Sequence, residues 1–249
     1  MLGENDMPRF FVRSEDEKDG VFLLSGETAR HISRSLRMAV GDFVTLSDGE
    51  GNEFFCRLTA FTEDTVTAEI ETRRIGASEM PVRVTLYQGY PKGDKMEYII
   101  QKAVELGVSE IVPFYSEHCV KRPEASRFDK IRERQQKIAD EAAKQCGRCR
   151  LPSVSSPVGY KEMLRKAAES DLVLFCYEGE DAHPVKAALP EQPPKSIAVI
   201  VGSEGGFSLK EAEEARLSGA SSVGLGPRIL RAETAGLYAL SALSFAYEM

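Results

Sequence analysis

Histidine is scarce in this chain: 249 residues hold three, at positions 31, 118 and 183. That scatter argues against a histidine-built metal centre. The five cysteines, Cys56, Cys119, Cys146, Cys149 and Cys176, are sparse and odd in number. They make no disulfide framework and fit a reducing cytoplasm. Cys146 and Cys149 form a lone CxxC pair, whereas zinc needs two further thiols or imidazoles at suitable spacing. No apolar run approaches the roughly 18 residues of a membrane span. The opening MLGENDMPRFF has no basic segment followed by a long apolar one, so no signal peptide is expected. Three motifs are also missing. Without GxGxxG after the first strand of a βαβ unit, a dinucleotide oxidoreductase is disfavoured. GxxxxGK[ST] for nucleotide triphosphates and the GxSxG serine elbow are absent too. There are no internal repeats or low-complexity tracts.

Basic charge is short as well. The net charge of −7 argues against a nonspecific nucleic-acid coat. The deficit is local, however. Residues 1–72 carry 7 Lys and Arg against 15 Asp and Glu, while residues 73–249 carry 25 against 24. The second region can therefore present a basic patch.

Residues 1–72 contain several short strand patterns, around Arg9–Val12, Val21–Leu24, Phe43–Leu46, Glu53–Thr59 and Thr65–Ile70. With one helix candidate over Thr28–Leu36, they predict a small β-barrel. His31, Arg34 and Arg37 fall three apart, on one helical face, and with Arg9 and Arg13 on the first strand they are candidates for RNA phosphate contact. Residues 73–80, with Gly76, Ala77 and Ser78, are expected to form a linker.

Residues 81–249 change to a βαβ pattern. A strand over Val82–Gln88 leads through the turn Gly89–Gly93 into a helix that Asp94 should cap, with Glu97 at the third position. Lys92 and Lys95 lie beside that turn. Ile111–Phe114 is the next strand, followed by Ser116-Glu117-His118-Cys119. A long charged helix over 124–145 ends at Cys146-Gly147-Arg148. Strand Leu172–Cys176 runs into Tyr177-Glu178-Gly179-Glu180, and residues 181–196, with four prolines, connect onward.

The chain is organised around a stretch near its end. Ile197–Val201 is an apolar run typical of a buried parallel strand, and it breaks into Gly202-Ser203-Glu204-Gly205-Gly206. Ser208 and Glu211 then form a capping box. The plan repeats: Val223–Leu225, a turn through Gly224 and Gly226, and a helix with Leu237, Leu240, Leu243 and Tyr247 on one stripe. Two glycine-rich strand ends at the carboxyl edge of one sheet make a small-molecule pocket. Glu204, Arg228, Arg231 and Glu233 crowd these turns with charge.

GSEGG, LGPRILRAETA and QKAVELGV resemble the RsmE family of bacterial 16S ribosomal RNA uridine-N3 methyltransferases, in the SPOUT superfamily, in order over almost the whole chain. The resemblance implies a PUA-like β-barrel RNA-binding domain at 1–72 and a SPOUT α/β methyltransferase domain at 81–249, with a parallel sheet and a C-terminal trefoil knot. It implies S-adenosylmethionine as cofactor, 16S ribosomal RNA in the small subunit as partner, and a cytoplasmic homodimer. The implied cofactor pocket joins three loops. They hold Cys176 and Tyr177; Val201, Gly202, Glu204, Gly205 and Gly206; and Leu225, Gly226, Pro227, Ile229 and Leu230. It adds Lys92, Lys95, His118 and Arg148 to the RNA contacts. Arg9, in MPRFFV, matches the family's N-terminal arginine segment and is carried over as catalytic beside Arg228. Where family members commonly have Gly-Pro-Glu-Gly-Gly, this chain has Ser203, which frees φ.

Methyl transfer from a sulfonium needs neither a metal nor a covalent nucleophile, which suits a chain so poor in both. Two other classes compete with it. One is a catalytically inactive RNA-binding protein, and the other is an α/β oxidoreductase, opposed by the missing fingerprint.

Overall fold

The computed structural model describes residues 7–120, 122, 124–179 and 182–249. Contacts divide the chain into two compact units. One takes residues up to Glu79 together with Ala143–Leu151; the other takes Met80–Ala142 and Pro152–Met249.

The first unit is built on strands β1 (Arg9–Phe11), β2 (Glu17–Lys18), β3 (Val21–Ser25), β4 (Phe43–Ser47), β5 (Asn52–Phe61) and β6 (Thr65–Ile75), with a short helix α1 (Gly26–Arg30) after β3. The sheet order is β1-β4-β5-β6-β3-β2, antiparallel except for β1 on β4. In β3, Phe22 and Leu24 alternate inward, as a half-buried strand should. They join Ile32, Val44, Leu46, Leu58 and Val66 in one core. Register shifts at Phe55/Cys56 and Leu58/Ala60 mark bulges that bend β5.

Two expectations are corrected here. β6 runs to Ile75, because β5 continues the ladder against it through the pairs Glu53–Arg74 and Asn52–Ile75, so the proposed linker starts inside a strand. The helix expected over Thr28–Leu36 is α-helical only to Arg30 and then widens into a π-turn, His31–Ser35. Leu36 N–H reaches back to the His31 carbonyl, five residues away, at 2.9 Å. Arg37 follows with φ of 54°, outside the helix. His31, Arg34 and Arg37 therefore do not share a regular helical face.

The second unit has a parallel sheet of β7 (Arg83–Gly89), β8 (Glu110–Tyr115), β9 (Ser153–Val154), β10 (Val158–Gly159), β11 (Leu172–Cys176), β12 (His183–Pro184), β13 (Ser196–Val201) and β14 (Ser221–Gly224). Its order is β10-β8-β7-β13-β11-β14-β12, with β9 also on β8. The helices are α2 (Lys95–Glu105), α3 (Phe128–Gln145), α4 (Tyr160–Ala167), α5 (Val185–Ala188), α6 (Leu209–Leu217) and α7 (Ala232–Tyr247). Burial of Ile197 through Val201 in β13 explains its unbroken apolar run, since helices cover both faces of such a sheet. α2 buries Met96, Ile99, Ile100, Ala103 and Val104, and Gly107, at φ 84°, stops it. Asp94 precedes α2 without a side-chain cap bond; its carbonyl receives Glu97 N–H instead, at 3.2 Å. The capping box of Ser208 and Glu211 is present. Among the described residues, no helix is long and apolar enough to cross a membrane.

Parallel register lines up the strand ends. Val201 pairs with Gln88 on one side and Cys176 on the other, and Cys176 pairs with Val223. Just beyond them the backbone crosses itself closely. A Cβ on Gly89 would lie 2.4 Å from Ser203 N and 2.6 Å from the Gly202 carbonyl carbon. The buried Gln88 amide fixes the crossing by donating to the carbonyls of Gly89 (3.2 Å) and Gly202 (3.3 Å).

This crossing predicts a contrast between two neighbouring glycines. Gly93→Ala meets nothing within 4 Å and bears only the strain of φ 64°, about 1–2 kcal/mol. Gly89→Ala must displace backbone. Urea unfolding should show the larger loss for Gly89→Ala, and equal losses would contradict the crossing.

Candidate functional site at the carboxyl edge of the parallel sheet

A cavity of about 490 Å³ opens where the strand ends line up. Three connections wall it. Cys176, Tyr177 and Glu178 follow β11; Val201 through Phe207 follow β13; and Val223, Leu225, Ile229, Leu230 and Arg231 lie on or after β14. Ala232 and Ala235 of α7 and Lys95 of α2 complete it. Glu180, expected in the first of these loops, lies outside the described residues.

In the turn after β13, Gly205 and Gly206 answer different demands. Gly206 N–H closes on the Ser203 carbonyl at 2.9 Å, and Gly206 stands at φ 64°, open chiefly to glycine. A Cβ on Gly205 would sit 2.7 Å from the His118 Cβ. His118 Nδ1 lies 2.8 Å from the Gly205 carbonyl, which assigns the ring the Nδ1–H tautomer as donor. Glu211 does more than cap α6. Its carboxylate also accepts Glu117 N–H at 2.8 Å and so ties Ser116–Cys119 to the turn. Glu211 was not among the expected site residues; its capping-box position was the available signal.

Charge at the cavity converges on Lys95. Its ammonium donates to Glu204 Oε1 at 3.0 Å and to Glu233 Oε2 at 3.2 Å. Lys92 contributes its backbone N–H to Glu204, at 3.1 Å. Burial works against the Glu204 charge most strongly, yet the bonds from its own backbone, from Lys95 and from Lys92 together hold its carboxyl below the ordinary value. The same two carboxylates raise the Lys95 ammonium. Burial alone pushes the Cys176 thiol up to about 12, which leaves it a neutral wall rather than a nucleophile.

The other expected residues separate into groups. Cys176, Tyr177, Val201, Gly202, Glu204, Gly205, Gly206, Leu225, Ile229 and Leu230 all line the cavity. Gly226 and Pro227 do not. Gly226 stands at φ 109° with open space where a Cβ would be, so backbone conformation rather than close approach requires glycine there. Arg228 is exposed, is not among the residues lining the cavity, and has no ion pair among the described residues; Glu204 and Glu233, its candidate partners, are taken by Lys95. Arg231, noted for its charge at the second turn but not assigned to the pocket, lines the cavity. Its place immediately before α7 was the signal.

In the first unit, Arg34 and Arg37 are exposed and have no ion pair among the described residues, and His31 stands edge-on to Phe10. Arg13 is exposed and paired with Glu15 and Asp16, each at 2.9 Å. Two expectations change. Arg9 is ion-paired with the buried Glu53 and lies 3.4 Å from the Gly147 carbonyl, so its guanidinium holds this unit's own segments together rather than standing free for catalysis. Arg148 was expected on RNA, but its side chain is 5 % exposed and lies 2.6 Å from Glu79. Glu79 also accepts the backbone N–H groups of Cys149 (3.1 Å) and Arg150 (3.0 Å). Arg148 is a buried structural cation.

Comparison with known proteins places the chain among methyltransferases. Residues 78–244 match an RNA methyltransferase domain, and residues 24–71 match an RNA methyltransferase PUA domain. The chain is 36 % identical to ribosomal RNA small subunit methyltransferase E of Bacillus subtilis, covering 98 % of both chains. It is 33 % identical to the protein of that name from Mesomycoplasma hyopneumoniae, over 94 % of this chain and 98 % of that one. A crystal structure of the ribosomal RNA small subunit methyltransferase E from Neisseria gonorrhoeae bound to S-adenosyl methionine superposes with a TM-score of 0.83, at 33 % identity, covering 97 % and 98 %.

The burial of Arg148 is open to test. Arg148→Ala should strand the Glu79 charge and lower unfolding stability by about 3–5 kcal/mol. Equilibrium urea denaturation reads this directly. A loss below about 1 kcal/mol, typical of an exposed pair, would return Arg148 to the surface.

Proposed function

The chain belongs to the ribosomal RNA small subunit methyltransferase E family, with a PUA-like module followed in sequence by a SPOUT-type parallel sheet, and on that premise we propose that it methylates N3 of one uridine in 16S ribosomal RNA with S-adenosylmethionine. The observation that carries this reading is the cavity where both glycine-rich turns meet at the aligned strand ends.

The residues present fit the cofactor. Val223, Leu225, Ile229 and Leu230 supply an apolar wall for an adenine, and the Gly202–Gly206 turn brings bare backbone to the ligand. Glu178 and Glu204 suit the positive sulfonium and ammonium, and Arg231 suits the carboxylate. The volume lies within the usual range for small-molecule sites. Neutral Cys176 offers no competing nucleophile.

S-adenosylmethionine supplies a methyl group already activated on sulfur. What the protein adds is alignment and charge. The uridine must lose its N3 proton for the lone pair to become available. We assign to Arg228, exposed and without an ion pair among the described residues, the task of holding the negative charge that grows on a uracil carbonyl oxygen as that proton passes to solvent. It stays protonated and so cannot be the base. Arg34 and Arg37, also unpaired, are assigned to RNA phosphates. Ile229 (86 %), Phe245 (72 %) and Tyr238 (44 %) leave apolar surface exposed on and beside α7, which supports a homodimer built on this helix. The substrate is the RNA within the small ribosomal subunit, in the cytoplasm.

Base-resolved modification mapping of small-subunit RNA with and without the protein tests the reading. One N3-methylated uridine should appear only with the protein, and an unmodified RNA would contradict the assignment. In single-turnover assays at saturating RNA and cofactor, Arg228→Ala should slow transfer by about 10²-fold or more, as loss of an oxyanion donor does. Circular dichroism and both affinities should stay near the parent's. A near-normal rate would end the role given to Arg228.

A further inference from the structure

Lys95 occupies a place that local preference does not favour. It is the first residue of α2, where the helix dipole disfavours a cation. A tertiary reason must outweigh this, and the geometry supplies it. Its ammonium meets one carboxylate from the turn after β13, Glu204 at 3.0 Å, and one from the first turn of α7, Glu233 at 3.2 Å. Three separate elements thus meet at one nitrogen on the cavity wall.

We propose that Lys95 is a positioning residue for the cofactor cavity: its ammonium clamps the Gly202–Gly206 turn to the start of α7 and sets the width of the pocket between them. The inference rests on the cofactor reading given above. Without the clamp, Glu204 and Glu233 would face each other as like charges. The remaining charged groups nearby do not replace it. Lys92 offers Glu204 its backbone N–H, while its side chain lies exposed on the turn before α2. Arg231, just ahead of α7, and the acid Glu178, after β11, face the cavity, and His118 gives its Nδ1 to the Gly205 carbonyl at 2.8 Å; no ion pair joins Arg231 or His118 to these carboxylates among the described residues. Removing Lys95 should therefore push the two walls apart, and it should do so only while both carboxylates are charged.

The test is calorimetric titration of S-adenosylmethionine into the full-length protein and its variants at pH 7.5 and pH 5.5, with thermal melting to confirm folding. At pH 7.5, Lys95→Met should bind at least about tenfold more weakly than the parent, and Lys95→Arg should fall between them. Two further results separate a clamp from a merely structural lysine. Affinity of Lys95→Met should recover at pH 5.5, because one of two facing carboxylates protonates more readily than an isolated one. Lys95→Met/Glu233→Gln should recover most of the loss at pH 7.5. Equal affinities of parent and Lys95→Met would overturn the inference alone. So would a loss that neither acid nor Glu233→Gln relieves. No binding by the parent would overturn the cofactor reading and this inference with it. If Lys95→Met does not fold, Lys95→Gln takes its place with the same readouts.

Discussion

The second unit depends on one steric constraint: the backbone of Gly89 passes so close to Gly202 and Ser203 that no side chain fits between them. The strands that make this crossing are neighbours in the sheet, although more than a hundred residues separate them in the chain. Once they pair in register, Gln88 and Val201 come level, and Cys176 and Val223 fall into the same row. Every loop that leaves this row is forced to the same edge. The cavity results from parallel register plus one turn, Gly202–Gly206, that brings backbone to the wall and a second connection whose Leu225, Ile229 and Leu230 bring side chains.

Charge then sets the shape that sterics permit. Glu204 accepts from Lys92 and Lys95, Lys95 bridges to Glu233, and Glu211 joins the Ser116–Cys119 segment to the start of α6. Each bond links elements distant in sequence. Arg228, exposed and without an ion pair among the described residues, is available to a substrate, which is the property the proposed chemistry requires.

The features legible in the sequence were local ones. The apolar run of β13, the Ser208–Glu211 box and the glycine turn after β13 each act within a few residues, and each appears where the pattern placed it. The capping role of Asp94 was one local expectation that did not hold, since its carbonyl took the bond instead. Longer-range facts were not legible. Arg148 was expected on RNA because nothing nearby in sequence marked Glu79, 69 residues earlier, as its partner. Arg9 resembled a free arginine until Glu53 was brought beside it by the sheet. The π-turn at His31–Ser35 accompanies the burial of Ile32 in the core, and this took Arg37 off the expected face. Lys95 was expected among the RNA contacts, because its two acids come from elements far along the chain and nothing local marked them as its partners.

The central claim is that the three connections at the aligned strand ends act together as one cofactor site. Amide hydrogen exchange with and without S-adenosylmethionine tests it most directly. Protection should rise together in residues 176–178, 201–207 and 223–231, with little change in the first unit. Protection in one of these connections alone, or centred anywhere else in the chain, would contradict it.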